Sequence, residues 1–112
     1  MIDTYSFGNI KINGKIYTSD VIIYPDRVYS SWWRKAGHEL GVDDLEDVLD
    51  QRPDVIVVGS GDPGLMQVLP ETEKLIKSRG IKLIVLQTKE ACQIYNRLSS
   101  PQKVIALLHL TC

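Results

Sequence analysis

Three stretches of the chain hold residue types able to do chemistry. Ser31-Trp32-Trp33-Arg34-Lys35-Ala36-Gly37-His38-Glu39 sets both tryptophans beside two cations. An aromatic face next to a guanidinium can hold a planar or anionic ligand, or anchor a protein interface. The structural alternative has one tryptophan closing the core while Arg34 pairs with an acid such as Asp43 or Asp44. Gly59-Ser60-Gly61-Asp62-Pro63-Gly64 reads as G-x-G-x-x-G, the spacing that lets backbone N–H groups approach a pyrophosphate. Three features argue against a dinucleotide here. Pro63 has no N–H, Asp62 puts negative charge where phosphate would sit, and Leu86-Gln87-Thr88 lacks the acid that grips a ribose hydroxyl. A tight turn leaving a sheet explains the glycines, with Ser60, Gln87 and His109 as possible polar contacts for a small anion. His109 and Cys112 offer a base and a thiolate nucleophile, yet period-2 alternation sets them on opposite faces of a regular strand. His38-Glu39 offers an acid–base pair, although adjacent residues in a loop often point apart. No catalytic residue, metal set or cofactor motif is assigned.

The elements that must position these residues are legible from periodicity. Ile10-Lys11-Ile12 and Lys15-Ile16-Tyr17 flank Asn13-Gly14, a hairpin signal because both turn positions need positive φ. Val21 to Tyr24, stopped by Pro25-Asp26 and answered by Arg27 to Ser30, reads as a second hairpin. Leu45, Val48 and Leu49 keep helical spacing, with Asp43 as N-cap and Glu46 completing a capping box. Six acids lie between Asp43 and Asp54 against Arg52; they read as a docking face or as the solvated side of a helix. Val55 to Val58 is a run of the kind buried on both faces. Pro70 opens a helix that Gly80 closes. Ile81 to Leu86 is a strand, Thr88 caps a helix through Leu98, and Val104 to Leu110 is the last strand. Strand–helix–strand–helix–strand order predicts three neighbouring parallel strands with right-handed crossovers, and N-terminal antiparallel strands that extend or cover them. The expected fold is a compact single α/β domain over 1–112, three-layered, with a mixed central sheet.

Composition sets the outer limits. The chain has 112 residues, 44% apolar, with 13 basic and 14 acidic side chains. Two independent cores would each have fewer than about 60 residues, where stability is marginal. A net charge of −1 gives no field for nucleic acid or an anionic membrane. Apolar runs of four to six residues fall short of the roughly 20 that a membrane span needs. Cys92 and Cys112 match no zinc spacing; both are expected as reduced thiols, Cys92 buried beside a helical stripe, although spacing leaves a bridge between them open. Met1 to Phe7 shows neither a basic nor an apolar leader, so a cytoplasmic protein is expected.

Trp33-Arg34, Val58-Gly59-Ser60-Gly61, Val85-Leu86-Gln87-Thr88, Tyr95-Asn96 and His109-Leu110-Thr111-Cys112 occur in this order along the chain. Together they resemble the family of the adipogenesis-associated domain protein, first described structurally from a methanogen. A mitochondrial assembly factor for respiratory complex I is a more distant relative. The resemblance implies a three-layer α/β domain with an additional hairpin, and it implies no activity. It places Trp33, Arg34, Gly59, Gly61, Gln87, Thr88 and His109 on positions that line a shared cleft, with Ser60 standing where animal relatives carry arginine.

Two functions follow as expectations. One is a non-catalytic binding or assembly module that uses a Trp/Arg surface beside the glycine-rich loop to hold a protein partner, as a monomer or weak homodimer. The other is a small-molecule binding protein or small enzyme, with a cleft for an anionic ligand at the strand C-termini.

Overall fold

The computed structural model describes residues 1–112. In chain order the elements are β1 (Ile2–Ser6), β2 (Asn9–Ile12), β3 (Lys15–Tyr17), β4 (Val21–Ile23), β5 (Val28–Ser30) and β6 (Glu39–Leu40). A 3₁₀ turn (Val42–Leu45) leads into α1 (Glu46–Asp50), followed by β7 (Val55–Gly59), β8 (Gln67–Val68), α2 (Pro70–Ser78), β9 (Lys82–Leu86), α3 (Thr88–Leu98) and β10 (Val104–Leu108).

The central sheet has the order β5-β4-β10-β7-β9. β10, β7 and β9 run parallel; β4 pairs antiparallel with β10, and β5 pairs antiparallel with β4. β1, β2 and β3 form a separate antiparallel sheet. The N-terminal strands therefore do both expected things: β4 and β5 extend the parallel sheet, and β1 to β3 cover it. The Asn13-Gly14 turn has φ of 48° and 83°, the pair of positive values that such a hairpin needs.

Alternation along the central strands builds two cores, one on each face. Val21, Ile23, Val55, Val57, Val104, Ala106 and Leu108 point to one side, against Ala91, Cys92 and Tyr95 of α3 and Ile2, Ile10 and Ile12 of the small sheet. Ile22, Ile56, Val58, Ile105 and Leu107 point to the other, against Leu45, Val48, Leu49 and Ile76. The result is three layers. The chain moves one way from β7 to β9 and back across β7 to reach β10. Right-handed crossovers in opposite directions put their helices on opposite faces, and α2 and α3 do lie on opposite faces.

Local caps explain where the helices start and stop, and two differ from expectation. Asp43 is not the N-cap of the acidic helix. Leu45 holds the N-cap of α1, and Gly41 caps the 3₁₀ turn before it, where its N–H donates to the Asp44 carboxylate at 2.9 Å, so the acid reaches back from inside the turn. Thr88 is not a cap either: Gln87 holds that position, and the Thr88 hydroxyl is drawn into the interior by better partners. The end of α2 follows expectation. Gly80, at φ 72°, donates to Lys77 and Ile81 donates to Ile76, the paired bonds of a helix closed by a left-handed glycine. The short β6–β8 pair and β1 itself were not anticipated from sequence. β1 carries one buried residue, Ile2, and thus no alternation to read. No helix is long and apolar enough to cross a membrane.

Candidate functional site

The polar centre of the molecule lies where the parallel strands end. β10 finishes at Leu108, so His109 sits just past the strand instead of within it. Leu108 pairs with Val21 in antiparallel register, which brings Asp20, just before β4, opposite His109. Arg34 reaches in from the loop after β5. Its guanidinium lies 3.0 Å from Asp20 Oδ2 and 4.6 Å from the centre of the Trp32 ring. Arg34 Nε and Nη2 donate to the Gly37 carbonyl at 3.2 and 2.7 Å. The Leu110 N–H donates to Asp20 Oδ1 at 2.8 Å.

His109 Nδ1 lies 2.7 Å from Asp20 Oδ2, so this nitrogen carries the proton and donates it to the carboxylate. Arg34 Nη2 is 3.2 Å from the same nitrogen; with both groups donors, that approach is not a hydrogen bond. Nor is the Arg34 Nη1 contact to Asp20 aligned as one, since Nη1 is buried without a hydrogen-bond partner, and it acts as an ion pair. Burial pushes the Asp20 pKa up. The bonds from His109 and Leu110 and the charges of His109 and Arg34 outweigh it, and the carboxyl ends below its ordinary value. His109 Nε2 is buried and has no partner.

The predicted candidates divide on this geometry. Arg34 is 6% exposed and Trp32 7%, whereas Trp33 between them is 84% exposed. Arg34 therefore does not form an outward platform with the tryptophans, and its acid is Asp20 rather than Asp43 or Asp44. Asp43 binds Lys35 at 2.7 Å instead. Asp20 was missed in the sequence. Its signal was a single carboxylate directly before the fully apolar strand Val21-Ile22-Ile23, where a charge needs a partner.

The glycine loop is closed on the chain's own backbone. Ser60 N–H donates to Leu86, Gly61 N–H to the Thr88 hydroxyl, Asp62 N–H to Thr111 and Leu65 N–H to Cys112. Gly61 has φ 104°, and a Cβ there would collide with the Thr111 carbonyl oxygen. At Gly59, a Cβ would press within 2.9 Å of Leu108 and Thr88. These N–H groups are spent on strand ends, so a pyrophosphate would find them occupied. Thr88 is the joint: its hydroxyl accepts from Gly61 at 2.8 Å and donates to the His109 carbonyl at 2.6 Å. Ser60 is buried, with its hydroxyl donating to Leu86, while Gln87 is exposed.

Cys112 and His109 do not pair. Cys112 Sγ is 3.9 Å from His38 Nε2, and His38 stands edge-on to His109 with ring centres 5.8 Å apart. The thiol thus meets His38, while the base backed by a carboxylate is His109. Both cysteines are free; Cys92 is enclosed in the core and burial raises its thiol pKa to about 12. The molecule's marked clefts lie away from this cluster. One of about 300 Å³ runs from Lys35 to Glu71, and one of about 480 Å³ lies between the β4–β5 hairpin and α1, beside Trp33.

Comparison with known proteins places this geometry. A conserved hypothetical protein from Pyrococcus horikoshii OT3 is 32% identical and superposes with a TM-score of 0.87 over 100% of this chain and 99% of that one. The protein MT938 is 29% identical, with a TM-score of 0.83 over 100% and 98%. NADH dehydrogenase [ubiquinone] 1 alpha subcomplex assembly factor 3 of Xenopus tropicalis is 26% identical over 107 residues, 94% of this chain. The chain spans little more than half, 57%, of that relative's length. A family model described as a protein of unknown function (DUF498/DUF598) matches residues 2–109. With that match running nearly end to end, the chain belongs to the DUF498/DUF598 family.

Proposed function

We propose that this chain is a non-catalytic binding and assembly module that holds a protein partner through Trp33. The observation that carries the reading is the exposure pattern across three consecutive residues. Trp32 packs into the core, Arg34 is tied to Asp20 and Gly37, and Trp33 between them stands 84% exposed. An aromatic side chain on a backbone pinned at both sides loses little freedom on binding, which favours an interface anchor. Arg34, the residue after the anchor, lies 3.2 Å from His109, whose N–H donates to Gly59. The name of the Xenopus relative, an assembly factor, supports the same kind of role. The module acts in the cytoplasm as a monomer or weak homodimer in this reading, and the ending His109-Leu110-Thr111-Cys112, which resembles that of the adipogenesis-associated members, supports grouping it with them. Affinity capture from the native source with wild type and Trp33→Ala tests it. Specific partners should disappear with the variant while its circular dichroism is unchanged; identical captures would overturn the reading.

One observation favours a second reading, a small-anion site at the strand ends with Ser60, Gln87 and His109 as contacts. It is the buried, unpartnered Nε2 of His109. A thermal-shift screen of phosphates, nucleotides and small acids tests it, since a ligand at 100 times its dissociation constant adds about 2.7 kcal/mol. A screen without any shift would remove this reading.

A further inference from the structure

The cleft beside Trp33 differs in charge from the rest of the molecule. Its floor is apolar and buried, formed by Ile22, Tyr24, Trp32 and Val48, and its walls include the exposed rings of Trp33 and Tyr29. Four carboxylates line it, from Asp43, Asp44, Glu46 and Asp47, against one cation, Arg27. That cation is already engaged, lying 4.2 Å over the Tyr24 ring and 3.2 Å from Asp26. Asp43 is bound to Lys35, and Asp44 accepts from the Gly41 and Lys35 N–H groups. Glu46 and Asp47 are exposed and have no hydrogen-bond or ion-pair partner. The cleft therefore combines open aromatic faces with two uncommitted negative charges, on a chain whose net charge is only −1.

We infer that this cleft docks an extended basic segment of the partner protein, with Lys or Arg side chains lying on Trp33 and Tyr29 and ending at Glu46 and Asp47. The inference rests on the reading of Trp33 as the partner anchor and adds the chemistry of what it anchors. A long cationic side chain suits both features at once: its methylene stem covers the aromatic ring and its head reaches the carboxylates. An acidic segment would meet the uncommitted like charges of Glu46 and Asp47. β5 forms the near edge of the central sheet and pairs only with β4, so an extended segment has a free strand edge beside the cleft. A volume of about 480 Å³ lies within the 300–1,000 Å³ typical of ligand-holding pockets.

Fluorescence anisotropy with two labelled peptides tests this on the full chain, one alternating Arg and Leu, the other alternating Glu and Leu. The Arg peptide should bind saturably at low salt and weaken as salt shortens the screening length to about 10 Å or less. The Glu peptide should not bind. Glu46→Lys with Asp47→Lys should weaken the Arg peptide about tenfold, as should Trp33→Ala, and amide shifts on binding should map to residues 27–33 and 43–48. Equal affinity for both peptides, indifference to the double charge reversal, or shifts elsewhere would overturn the inference. So would a concentration-dependent dimer lost in Trp33→Ala, which would make a second copy the occupant. Partner capture that depends on Trp33 without any preference for the basic peptide overturns the charge inference alone. Capture indifferent to Trp33 overturns the reading beneath it.

Discussion

Asp20 balances the charges of the strand-end cluster, because Arg34 is buried and Asp20 is its only acid. Removing one member of a buried ion pair strands the other, at about 3–5 kcal/mol, whereas replacing both removes the cost of the stranded charge. Asp20→Ala should therefore lose more stability in urea unfolding than Asp20→Ala combined with Arg34→Met. The depressed pKa of Asp20 sets a direction with pH. The stabilisation it gives is complete above the unfolded carboxyl value of about 3.9 and is lost as pH falls through the lower folded value. The stability gap between wild type and Asp20→Asn should accordingly shrink between neutral pH and strong acid. The thiols differ for a similar reason of burial. Cys112 is partly exposed beside His38, and Cys92 is enclosed with its pKa raised to about 12. A thiol reagent should modify one cysteine quickly and the other only on unfolding.

At the scale of elements, Thr88 and Asn96 join parts that periodicity treats separately. Thr88 links the loop after β7 to the end of β10 from the first turn of α3. Thr88→Val keeps the shape and leaves a buried N–H and a buried carbonyl unpaired, a loss of about 2–6 kcal/mol at about 1–3 kcal/mol per group. Chemical denaturation of that variant checks it. Asn96 acts as a strand would: its side chain exchanges two bonds of 2.8 Å with the Ile2 backbone, tying α3 to β1. Asn96→Ala should speed hydrogen exchange in β1 and leave β7 and β10 protected, since regions with few contacts open first. The hairpins, the parallel strands and the glycine close of α2 were all readable, because turn chemistry and apolar period act over a few residues. The Gly41 cap was not readable. It depends on whether Asp44 can turn back to a particular N–H, a matter of loop geometry.

For the whole molecule, the outward stance of Trp33 has a consequence for stability as well as binding. At 84% exposure its removal should change unfolding free energy by less than about 0.5 kcal/mol, so any loss of partner capture can be assigned to the surface. The order of residues was enough to define one three-layer α/β domain with a mixed sheet. Alternation and helical period select which side of each element is buried, and a chain of this length has one economical way to cover both faces of a parallel sheet. Composition gives a net charge of −1, so long-range electrostatic attraction has to act through local patches. Which residues meet was decided by the tertiary structure. Asp20 and His109 are 89 positions apart and meet only because β4 and β10 pair in one register. Trp33 faces outward only because Trp32 and Arg34 find partners inside. Side-chain chemistry is written locally, but its neighbours are set by strand register and packing, which couple residues far apart in the chain.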